Sequence, residues 1–90
     1  MASNFKILFH RNDDNLHLKL MGDFDGTSAH MLINMLRSCS HKFSTIFIHT
    51  SSLRCIIPFG QSVFQENLDF LKRDSVRLIF TGENASQLSP

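Results

Sequence analysis

One short run constrains the fold of this chain more than any other: Thr45-Ile46-Phe47-Ile48-His49-Thr50. It is β-branched and nearly continuous in apolar character, so it predicts a buried central strand. It lies between two stretches whose apolar residues recur at helical spacing. Ahead of it, Ala29, Leu32, Ile33 and Leu36 share one helical face, extended by Cys39, while His30, Asn34, Arg37 and Ser38 face away. After it, Val63, Phe64, Asn67, Leu68 and Leu71 recur in the same way, with Gln65, Asp69 and Lys72 outward. A strand flanked by two helices pairs in parallel with its neighbours through right-handed crossovers.

The remaining segments complete the order β-β-α-β-α-β. Phe5, Ile7 and Phe9 alternate with Lys6, Leu8 and His10; Leu16, Leu18 and Leu20 alternate with His17, Lys19 and Met21. The polar turn Arg11-Asn12-Asp13-Asp14-Asn15 joins them into a hairpin. Leu53 to Ile57 is an irregular apolar piece, and Asp74-Ser75 is a turn. Val76-Arg77-Leu78-Ile79-Phe80-Thr81 is a last strand, ended by Gly82. The expectation is an α/β domain over residues 1–82, with a mixed sheet of about four strands, both helices on one face, and a polar tail over 83–90.

Composition narrows the function classes. Ninety residues suit one domain and bury only about 60–65% of the unfolded surface, which leaves no room for a large internal cavity. Nine Lys/Arg against eight Asp/Glu give a formal net charge of +1, and the basic residues are scattered along the chain. No field of that kind steers a protein to nucleic acid. No apolar run approaches the roughly 20 residues that cross a bilayer. The first residues lack a basic stretch followed by an apolar one, and Cys39 and Cys55 read as reduced core thiols, so the expected compartment is the cytoplasm.

No enzyme signature is present. There is no His-x-x-x-His pair with an intervening Glu, no Cys-x-x-Cys, and no general base beside either cysteine. No metal or cofactor is expected. His10 and His17 sit beside Lys6 and Lys19 and read as solvated strand-face residues. Two loops hold the candidate site. In Gly22-Asp23-Phe24-Asp25-Gly26-Thr27-Ser28, a carboxylate or hydroxyl caps the first helix. In Ile57-Pro58-Phe59-Gly60-Gln61-Ser62, Pro58 suits the first turn of a helix and Gly60 permits close backbone approach. Phe59 either joins the core or, with Pro58, forms a rigid apolar tip of the kind that anchors a partner.

These loops and their spacing resemble the STAS family of sulfate-transporter and anti-sigma-factor-antagonist domains. Gly22 to Ala29 resembles the stretch that opens the family's first helix. Ile46-Phe47-Ile48-His49-Thr50-Ser51-Ser52-Leu53 resembles the strand and turn usually written I-V-L-D-L-S-G-V. Ile56-Ile57-Pro58-Phe59-Gly60-Gln61-Ser62-Val63 stands in the place of I-D-S-S-G-L-G-V. Residues 5–82 are covered. In regulatory members, the first serine of that last loop is phosphorylated by a kinase that is also the anti-sigma factor. Here that position is Pro58, which has no hydroxyl, and the strand-end aspartate is His49. Of the loop's aspartate, serines and first glycine, only Gly60 is kept. Ser62, Ser51 and Ser52 remain as candidate modification sites, Ser62 for phosphorylation among them, and nothing in the sequence favours that over ordinary turn and capping roles.

The resemblance implies a non-catalytic bacterial module for protein–protein interaction with a non-phosphorylatable loop. The expected partner-binding residues are Asp23, Asp25, Gly26, Thr27, Ile57, Pro58, Phe59, Gly60, Gln61 and Ser62. The partner would be an anti-sigma-type kinase or another signalling protein. Alternatively, the chain would serve as the cytosolic accessory subunit of a membrane transporter, bound to a separate permease. A small enzyme or nucleotide binder is the third reading, which the missing catalytic constellation disfavours.

Overall fold

Alternation in the first 24 residues makes the hairpin. Strand β1 (Lys6–Asn12) pairs antiparallel with β2 (Asn15–Phe24), so that Phe9 lies opposite Leu18 and His10 opposite His17. Leu16, Leu18 and Leu20 of β2 are buried, while His17 and Lys19 point to the other face. The structure, a computed structural model, describes residues 4–69 and 76–89. Leu71, Lys72 and the turn at Asp74-Ser75 lie outside the described residues.

Helix α1 (Gly26–Cys39) buries Ala29, Leu32, Ile33 and Leu36, the face its spacing predicts. It delivers the chain to β3 (Thr45–His49), which pairs in parallel with β2. Helix α2 (Pro58–Glu66) leads on to β5 (Arg77–Thr81), which pairs in parallel with β3. Ile46 and Ile48 are fully buried beneath the helices, each stabilising the fold by roughly 1.5–3 kcal/mol. Phe24 meets Phe5, and Phe64 of α2 meets both Phe24 and Phe80, all edge to face with ring centroids 5.8–6.0 Å apart. Such geometry sets the negative ring faces against positive edges. Among the described residues no helix is long and apolar enough to cross a membrane.

Three expectations need correction. Among the described residues the sheet has five strands, one more than the four or so expected: Leu53–Ile56 forms β4, which pairs in parallel with the end of β2 beyond the reach of β3. The apolar residues in this piece looked irregular because β4 is only four residues long and meets β2 across a register shift at Gly22/Asp23. Second, β3 is not buried on both faces. Thr45, Phe47 and His49 are only half-buried, because α1 and α2 cover the same side of the sheet. Third, the stretch after Gly82 is not merely a polar tail. It carries the short helix α3 (Ala85–Leu88), whose Leu88 is fully buried in the core. Gln61 and Gln65 of α2 donate side-chain N–H groups to the Gln87 carbonyl at 2.6 and 3.1 Å and hold α3 in place.

Leu88→Ala tests this docking. Removal of a buried leucine side chain lowers unfolding free energy by about 2–3 kcal/mol in urea titrations, whereas a change in a loose tail stays within about 0.5 kcal/mol.

Candidate functional site

Two helix starts meet at the end of β2. Asp25 is the N-cap of α1: its Oδ1 accepts the Ser28 backbone N–H at 2.9 Å and the Ser28 hydroxyl at 3.0 Å. The Ser28 N–H is the main cause that holds the Asp25 carboxyl below the usual carboxylate range. Backbone carbonyls of the same corner are also used. Phe24 O accepts the Ile57 N–H at 2.9 Å, and Asp25 O accepts the Ala29 N–H at 2.9 Å. Gly60 packs against the Asp25 backbone so closely that a Cβ there would lie 2.6 Å from the Asp25 carbonyl carbon and oxygen. The family-like glycine is therefore required by contact between two backbones.

On top of this junction stands an apolar tip. Helix α2 starts on Pro58, with Ile57 as N-cap and no side-chain cap. Phe59 is 69% exposed and Ile57 39% exposed, and Pro58 is exposed beside them. The question of whether Phe59 joins the core is thus answered by the start of α2, which turns the ring outward over Gly26. A Cβ on Gly26 would meet the Phe59 ring at 2.7 Å. Gly26, Ile57, Pro58, Phe59 and Gly60 form one corner with the Asp25 cap beneath it, and Thr27 is exposed on the first turn of α1.

The other expected site residues are placed differently. Asp23 is engaged apart from the Asp25 cap, in a two-pronged ion pair with Arg54 of β4 (Nη2–Oδ2 3.1 Å, Nε–Oδ1 3.3 Å). Asp23 lies on β2, whereas Asp25 lies past the strand's end and turns into the cap of α1, and this separates the two carboxylates. Gln61 is tied to Gln87 on α3, and Ser62 is exposed on α2.

A second constellation escaped the reading of the sequence. On the face opposite α1 and α2, His17 Nδ1 and His49 Nε2 share a hydrogen bond at 2.9 Å, and His49 Nδ1 bonds Thr81 Oγ1 at 2.6 Å. The His17 ring stacks on Phe47 with centroids 4.6 Å apart. His10 is solvated as expected, but His17 is half-buried and partnered. The signal was the shared alternation of β2 and β3; using it required the register that places Lys19 opposite His49 and His17 opposite Phe47.

Burial first, then repulsion from His17 and Lys19, holds the His49 imidazolium pKa below its ordinary 6.5. The unfolded chain then takes up more protons than the folded one below 6.5. This contribution to stability is complete above that pH and is lost as pH falls toward the depressed folded value. Denaturation midpoints measured from about pH 7.5 to about pH 5.5 should fall, and His49→Gln should flatten the dependence; equal slopes in both proteins would exclude His49 as its source. At the helix junction, Gly60→Ala should cost about 2 kcal/mol of unfolding free energy by overpacking against a backbone that cannot yield.

No protein-family model and no curated protein sequence matches this chain. Solved structures do match in shape. The antisigma-factor antagonist STAS domain from Rhodobacter sphaeroides superposes with a TM-score of 0.72 at 12% identity, covering 100% of both chains. The anti-sigma factor antagonist SpoIIAA in its unphosphorylated form gives 0.64 at 14% identity, over 84% of this chain and 70% of that one. Mglu in its L-glutamate binding form gives 0.79 at 13% identity and covers 93% of this chain, which spans only 28% of the Mglu chain. A mixed sheet with both main helices on one side and two helix starts meeting at the strand ends is thus the fold that this chain shares with STAS domains and anti-sigma factor antagonists.

Proposed function

We propose that this chain is a non-catalytic protein–protein interaction module of the anti-sigma-factor-antagonist-like signalling kind, acting in the bacterial cytoplasm. The carrying observation is the exposed apolar tip of Ile57, Pro58 and Phe59 on a rigid base. Large apolar side chains held outward cost hydration, and clusters of them mark surfaces that partners cover. A proline at the first helical position and a backbone-to-backbone contact beneath it keep the tip in one conformation, so little entropy is lost when a partner docks. An aromatic anchor of this kind supplies a large share of the binding energy of an interface.

The partner surface in this reading comprises Gly26, Thr27, Ile57, Pro58, Phe59 and Gly60, with Ser62 at its edge and Asp25 shaping it from below. Asp23 and Gln61 support the fold around it through Arg54 and Gln87. The non-catalytic assignment is supported by the engagement of both nearby carboxylates, one as a helix cap and one in an ion pair. Pro58 offers no hydroxyl to a kinase, so association is constitutive and is not switched by phosphate at that position.

Affinity capture from the native host identifies the partner, and titration calorimetry with it measures the anchor. Phe59→Asp should weaken binding by about 2 kcal/mol or more without lowering the unfolding midpoint, because the ring is exposed. Unchanged affinity would remove the tip from the interface. Capture of a permease in place of a kinase-like signalling protein would reassign the module to transport.

A further inference from the structure

Among the described residues, strand β1 has a partner on one side only: it pairs with β2 and with nothing along its outer edge. Its free edge is seven residues long, and its side chains are exposed except for the half-buried Ile7. An edge of that length presents unpaired backbone N–H and C=O groups, a ready template for another strand. Leu8 and Phe9 are 51% and 68% exposed, one on each face of the strand. Two of the chain's exposed large apolar residues therefore flank the same bare edge.

A groove adjoins that edge on the helix side. Phe9, Leu16, Met35 and Phe43 line it, together with the cations Arg11 and Lys42, and its volume is about 200 Å³. A cavity of about 150 Å³ already accepts benzene, so there is room for one aromatic or branched side chain. The Arg11 guanidinium lies 5.5 Å above the Phe43 ring, which keeps a positive charge beside the apolar floor. On β1 itself stand Lys6, His10 and Arg11 and no carboxylate; Asp13 and Asp14 follow only in the turn.

We propose that the β1 edge is a second docking surface, which takes an extended acidic segment of a partner protein as an added strand. Backbone hydrogen bonds along β1 supply the pairing. An apolar side chain of the segment enters the groove beside Phe9, and its carboxylates face Arg11, Lys42 and Lys6. The charge pattern selects this occupant. A second copy of β1 would bring Lys6 and Arg11 again and no carboxylate on the strand to answer them, and lysine on an edge opposes self-pairing. An added strand reads its partner through alternate side chains in pockets, and the groove beside Phe9 offers one such pocket.

The probe is a synthetic peptide, acetyl-Glu-Glu-Val-Phe-Val-Glu-Glu-amide, titrated against the whole chain by calorimetry and backbone amide NMR. Saturable binding is expected, with shifts concentrated in residues 6–12. Phe9→Asp and Arg11→Glu should each weaken it roughly tenfold or more. Both side chains are exposed, so matching unfolding midpoints show that the variants fold. A peptide with lysines in place of glutamates, and one N-methylated at its valines, should not bind. Absence of binding, equal binding of the lysine peptide, or binding that survives N-methylation would overturn the proposal. A dimer of the free chain in sedimentation that Phe9→Asp dissolves would also overturn it, by giving the edge to a second copy.

Discussion

The contact between Gly60 and the Asp25 backbone holds the two halves of this fold together. Asp25 ends β2 and caps α1; Gly60 lies in the first turn of α2. With no Cβ between them, the two helix starts close on each other, and Phe24 and Phe64 follow into edge-to-face contact beneath. Any larger residue at position 60 would push α2 away from β2 and open that aromatic cluster. The same closeness leaves no interior space for Phe59, and its ring stands in solvent over Gly26. Stability and the exposed tip are thus two results of one contact.

The sheet divides the molecule into a dry side and a wet side. Both main helices lie on one face, where Leu18, Leu20, Ile46 and Ile48 are fully buried. On the other face the side chains are only half-covered, and polar groups there satisfy each other across strands. His49 is bonded on both ring nitrogens, to His17 and to Thr81, which ties β2, β3 and β5 together in a second way besides the backbone ladder. Burial on this face, with repulsion from His17 and Lys19, is why His49 resists protonation.

Much of the fold is legible in the pattern of apolar residues. The hairpin, α1 and β3 were readable because each has a single clear period and ends at polar turn formers. Leu53–Ile56 was harder, since four residues hold too few alternations to define a period, and its partner is the far end of β2. Leu88 was harder still. A lone apolar residue in a polar stretch carries no period at all, and only its position over the core buries it. At the candidate site, the loops themselves could be located from Gly, Pro and Asp, but Asp23 and Asp25 could not be assigned different partners until Arg54 had a place.

Local chemistry by itself determined the hairpin, α1, β3 and β5, a polar cap at the start of α1 and the helix start at Pro58. These depend on single residues or on neighbours a few positions apart, whose preferences act within one turn or one strand. Tertiary structure alone decided the exposure of Phe59, the burial of Leu88, the pairing of His17 with His49 and the bare edge of β1. Each of these is set by groups distant in the chain, and the distance between them is a property of the packed sheet and helices. Periodicity says which way a side chain points along its own strand; only packing says what it meets there.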